Sequence, residues 1–171
     1  MRLRKWVIIM EKVFESENLY YVKVNRELIN DYLNMINDRE IRKLISDKSF
    51  VEITYDQELE WVNEKLNNNS VVFSIIEKET NEFVGNIELM NIRSNIGELG
   101  ISISSNKQNK HYGTESIKAM INYIYENKIV EELDLNVFNF NERAIHCYEK
   151  IGFVKDGIGI TENDIHMKYK K

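Results

Sequence analysis

Residues 98–138 constrain the fold more than any other part of the chain. Glu98-Leu-Gly-Ile-Ser-Ile-Ser104 alternates like a half-buried strand. It empties through a polar loop, Gln108-Asn-Lys-His-Tyr-Gly-Thr-Glu115, into a run with Ile117, Met120, Ile121, Ile124 and Tyr125 at helical spacing. Residues 133–138 then alternate as a second buried strand. A strand–helix–strand crossover makes a parallel pair. The loop between strand and helix is also a natural cradle for phosphate. N–H groups of a first helical turn have no internal acceptor, and the helix dipole favours negative charge there.

The segments ahead of this crossover read as strands joined by short turns. Residues 17–24 form a first strand. Residues 27–45 are helical, with a break near Asn37-Asp38, and residues 56–66 form another helix capped by Thr54 or Asp56. A meander follows: residues 71–77, 83–91 and 96–104, with turns at Thr80-Asn81 and at residues 93–95. After the crossover, residues 141–151 make a short helix that stops at Gly152, and residues 153–158 and 165–169 close the chain as a strand pair. The expected fold class is α+β, with a mixed sheet of six to seven strands flanked by helices. One domain spans residues 17–171, and residues 1–16 are an extension or irregular start.

A net charge of −5 argues against a nucleic-acid-coating surface, which is normally basic. The single cysteine, Cys147, permits neither an internal disulfide nor a multi-cysteine zinc site, and it suits a reducing, cytoplasmic setting. The apolar run near Met1 is short and ends at Glu11-Lys12, unlike a signal peptide, and Met10 is an alternative start. No segment has the length of a membrane span. With no proline in the chain, boundaries rest on Gly, Asn and Asp.

The loop and helix, followed by Asn141-Glu-Arg-Ala-Ile-His-Cys-Tyr-Glu-Lys-Ile-Gly-Phe153, resemble the GNAT acyl-CoA-dependent N-acetyltransferases. The element order is similar from residue 17 to the end. Gly85-Asn-Ile-Glu-Leu89 and Gly97-Glu-Leu-Gly100 look most like the branch of ribosomal-protein N-terminal and polyamine acetyltransferases. The family's loop is commonly Arg/Gln-x-x-Gly-x-Gly/Ala. Gln108 and Gly113 match it, and His111 replaces the first glycine. Glycine suits close backbone approach or a left-handed conformation, and His tolerates that conformation better than most residues.

The resemblance implies acetyl-CoA as cosubstrate, no metal, and an amine acceptor such as a protein N-terminus or a polyamine. The acetyl group would move by direct attack in a ternary complex. A strand splay at the sheet centre would take the donor. Ile101, Ser102 and Ile103 would pair with the pantetheine arm, and an N–H near Ile103 would polarise the thioester carbonyl. Gln108, Asn109, Lys110, His111, Tyr112, Gly113 and Thr114 would wrap the pyrophosphate, and Asn141 would bond the arm while capping its helix. Without the resemblance, the loop is equally a polar surface turn.

Tyr148 is the candidate general acid, since a phenol with an ordinary pKa of about 10 is protonated at neutral pH. Its bland alternative is helix packing with Ala144 and Ile151. Glu98 is the candidate base. Glu88 is its rival, as base or as anchor for a cationic substrate. Cys147 beside His146 is not a catalytic pair, because adjacent helical residues point roughly 100° apart. The alternative function is a non-catalytic acyl-CoA sensor of the same fold. Neither membrane nor nucleic acid is expected as a partner, and a homodimer is left open.

Overall fold

A computed structural model describes residues 10–171; the question of an upstream extension over residues 1–9 lies outside them. The elements are β1 (Lys12–Glu15), β2 (Leu19–Lys23), α1 (Ile29–Ile36), α2 (Arg39–Ile45), α3 (Tyr55–Asn67), β3 (Val71–Glu77), β4 (Phe83–Arg93) and β5 (Ile96–Ile103). Then come α4 (Tyr112–Glu126), β6 (Glu132–Phe138), α5 (Glu142–Ile151), β7 (Phe153–Ile158) and β8 (Asp164–Tyr169). The strands form one sheet in the order β1-β2-β3-β4-β5-β6-β8-β7.

That sheet has eight strands, where the sequence pattern predicts six to seven. The extra one is β1, inside the stretch expected to be irregular. Four residues carry too little pattern to be read locally. Tertiary contact holds them, because Phe14 stacks on Tyr21 and Tyr123 at centroid distances of 4.3 and 4.4 Å.

Local chemistry sets the helix ends. Thr54 caps α3 in a reciprocal box with Gln57. Asp38 accepts from the Glu40 N–H and starts α2, which explains the break after α1. Gly152 ends α5 at φ 123°, a conformation glycine adopts freely.

Strand alternation sorts the side chains onto two faces. Ile87, Leu89, Leu99, Leu133, Leu135, Val137 and Met167 join α4 and Ile145 of α5 in the main core. Val22, Val72 and Ile76 face the other way and pack with Tyr32 and Val62 of α1 and α3. The intervening residues Glu88 of β4, Glu98 of β5, Asp134 and Asn136 of β6 and His166 of β8 therefore share this second face. It carries polar chemistry beyond the helices that cover β2 and β3.

All pairs are antiparallel except β5–β6. That parallel pair is joined only at Ile96–Glu132, Gly97–Leu133 and Glu98–Asp134. Beyond Glu98, β5 stays with β4 up to Ile103, while β6 from Asp134 onward stays with β8. The sheet thus forks at its centre, as the resemblance implies.

The loop after β5 is fastened by a buried ion cluster. Lys107, 7% exposed, lies 2.8 Å from Glu77 Oε2 and 2.6 Å from Glu82 Oε2. Thr80 and Tyr112 also donate to the Glu77 carboxylate. Lys107 above all, then the two hydroxyls, hold Glu77 down at about 2. A carboxylate with a depressed folded-state pKa adds stability that is full above its unfolded value and is lost as pH falls toward the folded one. Glu77→Gln should cost about 3 kcal/mol at pH 7, the low end for breaking a buried pair, since Glu82 still faces Lys107. The gap in melting temperature between wild type and variant should close as pH drops from about 5 to 2. A constant gap over that range would show that the carboxylate's ionisation is not what stabilises the loop.

Candidate active site

The end of β5 delivers the chain into two left-handed residues, Asn109 at φ 61° and His111 at φ 64°, just before α4. His111 therefore takes the conformation for which glycine is the usual choice, and His is among the side chains that tolerate it. The turn leaves the N–H groups of Tyr112, Gly113 and Thr114 outside the helical ladder, whose first loop-to-helix bond runs from Glu115 N–H to His111 O at 3.0 Å. Glu115 ties this first turn to the β1–β2 turn, accepting from the Asn18 N–H at 2.7 Å and from Ser16 at 2.5 Å.

Gly113 has open space around it. A Cβ placed there would meet only Ile103 Cγ1, at an ordinary 3.9 Å. Packing therefore does not demand glycine at this position. The free amides, the gap between β5 and β6 and this vacant volume fit a phosphate-bearing ligand with an extended arm.

Several residues expected in the loop have structural duties instead. Gln108 Nε2 donates to Ile103 O at 3.1 Å, which occupies a carbonyl at the end of β5. Tyr112 turns its hydroxyl onto Glu77, away from the loop mouth. The Thr114 hydroxyl lies 3.1 Å from Cys147 Sγ and couples α4 to α5, so Thr114 offers its N–H rather than its oxygen. Lys110 and His111 are exposed. Asn141 caps α5 by accepting from the Ala144 N–H at 3.3 Å.

Sequence reading missed Arg143. Its guanidinium donates to Gln108 Oε1 at 2.8 Å and to Asn109 Oδ1 at 3.0 Å, locking the loop to α5 and adding a cation to its rim. An arginine in the first turn of the helix after Asn141 was the only available signal, and it does not name a partner. Lys107 was missed for the same reason.

Tyr148 packs on the main core with its ring 5.9 Å from Phe153. Burial pushes its phenol well above the ordinary value, with the Cys147 sulfur adding to the effect. Among the described residues its hydroxyl has no hydrogen-bond partner, so the O–H is free to donate. Glu98 projects from the opposite face. Its Oε2 accepts from Asn91 Nδ2 at 2.7 Å and its Oε1 from Asn136 Nδ2 at 3.0 Å, which fixes the carboxylate at the fork. Glu88 is already matched by Lys65, 3.2 Å away. Among the described residues no cluster of His, Cys, Asp and Glu is arranged to hold a metal ion, and no helix is long and apolar enough to cross a membrane.

A forked mixed sheet with a helix N-terminus behind the fork defines a class of acyl-CoA-dependent transferases. Residues 18–154 match the family described as Acetyltransferase (GNAT) domain, and the chain belongs to that family. It is 24% identical over 139 residues to a spermidine N(1)-acetyltransferase of Vibrio cholerae, a match covering 80% of this chain and 79% of the relative. It is 27% identical over 100 residues to an uncharacterized prophage-derived N-acetyltransferase, YokL, of Bacillus subtilis, covering 57% of this chain and only 56% of that relative. The fold is similar to the Vibrio cholerae spermidine N-acetyltransferase solved with CoA and spermine, at a TM-score of 0.79 and 21% identity over 90% of this chain and 95% of that one.

The vacancy beside Gly113 makes a sharp test. Gly113→Ala should leave the melting temperature unchanged or slightly higher, since alanine is favoured in a helix by about 1 kcal/mol. CoA should bind about tenfold more weakly by calorimetry, a loss of about 1.4 kcal/mol. Unaltered CoA affinity would mean that no phosphate approaches this amide.

Proposed function

We propose that the protein transfers the acetyl group of acetyl-CoA to a primary amine of a small polycation of the polyamine type. The reading rests above all on the fork between β5 and β6. Glu98 stands on one face of the sheet and Tyr148 packs on the other. Only a gap between the strands lets groups on opposite faces address one reacting carbon.

The chain's own residues divide the work. Acetyl-CoA, when bound, supplies an activated thioester. The free amides at the start of α4, together with Lys110 and Arg143, take the anionic part of the donor. The stretch of β5 from Ile101 to Ile103, with Ser102 between them, lies along the gap and orients the arm through the backbone groups that β4 and Gln108 leave free. Glu98 accepts a proton from the incoming ammonium, which is almost fully charged at pH 7 and cannot attack until it is neutral. Its two asparagine donors keep the carboxylate aimed. Tyr148 gives its hydroxyl proton to the departing thiolate. With its pKa pushed up by burial, the phenol holds that proton at all physiological pH values and so presents an O–H donor to the sulfur as negative charge builds there.

The choice of a polycation is supported by the Glu98 carboxylate held at the fork, and by the similarity to spermidine acetyltransferases. Glu88, neutralised by Lys65, serves as wall rather than as base. His111, the departure from the family loop that would favour a sensor, adopts the backbone conformation a glycine would, so the substitution leaves the loop in shape.

Tyr148→Phe tests the assignment. Thiol release from acetyl-CoA with spermidine in an amine panel should fall about a hundredfold in kcat, while saturating CoA still raises the melting temperature. Glu98→Gln should show a similar loss that shrinks at high pH, where free amine is already abundant. A wild-type protein that binds CoA but turns over no amine would identify a sensor.

A further inference from the structure

Asp134 has no part in the scheme above, yet its environment is unusual. Its side chain is 2% exposed. Oδ2 receives Arg93 and lies 3.0 Å from His166 Nε2. Oδ1 is buried without a hydrogen-bond partner among the described residues. A buried orphan acceptor of this kind calls for an explanation such as a catalytic role.

We propose that Asp134, His166 and Asp156 carry the acceptor's surplus proton from the reaction centre to solvent, a proposal that rests on the acetyl-transfer reading above. Proton counting requires such a route. An ammonium nitrogen arrives with three protons and leaves as an amide with one. One of the two lost protons ends on the CoA thiol through Tyr148, and the other must reach bulk water. Glu98 takes it first, but Glu98 must be emptied before the next turnover.

The register of the strands sets these groups in a row on one face of the sheet. Asp134 is the register partner of Glu98 in the last bonded pair before the fork. Register partners project to the same face, on strands about 4.8 Å apart. The orphan Oδ1 is the acceptor open to the proton that Glu98 holds, directly or through one water. A half-turn of the carboxyl about its Cβ–Cγ bond then brings that proton round to face His166 Nε2, which takes it. The imidazole releases another from Nδ1, which lies 3.4 Å from Asp156 Oδ2. Asp156 is 46% exposed and gives it to water. One proton enters the ring and one leaves, no electrons move, and a tautomer shift resets it.

The surrounding charges suit this use. Arg93 from β4 stabilises the Asp134 carboxylate when it is empty. Lys168, 2.9 Å from Asp156, holds that carboxylate below the ordinary range, so any proton it takes passes quickly on to water. Glu98 on β5 completes the groups facing the chain.

The test compares wild type with His166→Ala, His166→Gln and Asp156→Asn in thiol-release assays with spermidine. The relay predicts that both His166 variants lose at least tenfold in kcat with KM unchanged. It predicts that added imidazole restores His166→Ala severalfold, and that both variants gain rate with buffer concentration where wild type does not. Should His166→Ala fail to fold, the buffer dependence of His166→Gln decides. Full kcat in His166→Gln, or a loss that neither imidazole nor buffer relieves, overturns the relay and leaves the acetyl-transfer reading standing. A wild-type protein inactive on every amine overturns both.

Discussion

Everything in this fold depends on where two parallel strands stop being neighbours. β5 and β6 share a short bonded stretch at their start and then follow different partners, β4 on one side and β8 on the other. The separation costs hydrogen bonds that a closed sheet would make. Each unmade bond between buried backbone groups is expensive, so a gap of this kind implies something else to satisfy it. The same gap opens a way between the two faces of the sheet. Strand alternation puts Glu98 and the main core on opposite faces, and an unbroken sheet would keep Glu98 and Tyr148 apart.

The loop behind the fork is rigid for reasons unrelated to any ligand. Lys107 is held between two carboxylates, Tyr112 is tied to one of them, and Gln108 is bonded both to β5 and to Arg143 of α5. Side-chain groups that look like ligand contacts in the sequence are largely spent on this scaffold. What remains free is backbone: the amides of the first turn of α4 and the empty volume at Gly113. Preorganised amides need no rearrangement when an anion arrives, which is the property a phosphate site requires.

The polar face tells a parallel story. Glu88 is neutralised by Lys65 and Glu98 is aimed by two asparagines, while Asp134 keeps an oxygen without a partner. Three carboxylates on one face thus have three different environments. Residue type alone makes them interchangeable candidates, and only their neighbours tell the ion-paired one from the one held by two amides and the one with an unpartnered oxygen.

The sequence by itself determined the order of strands and helices from residue 17 onward, the crossover that makes one parallel pair, and the positions of Tyr148, Glu98 and the loop. Those are local properties, written in alternation, helical spacing and caps. Tertiary structure decided that residues 12–15 add a strand, because aromatic stacking on Tyr21 and Tyr123 rather than local pattern holds them. It also decided that Thr114 bonds Cys147, that Arg143 clamps the loop, and that His166 lies between Asp134 and Asp156. Thr114 and Cys147 are 33 residues apart, Arg143 and Asn109 34, and His166 and Asp134 32, while Asp156 reaches His166 from the neighbouring strand, and no short-range pattern encodes which side chains a folded sheet will set face to face.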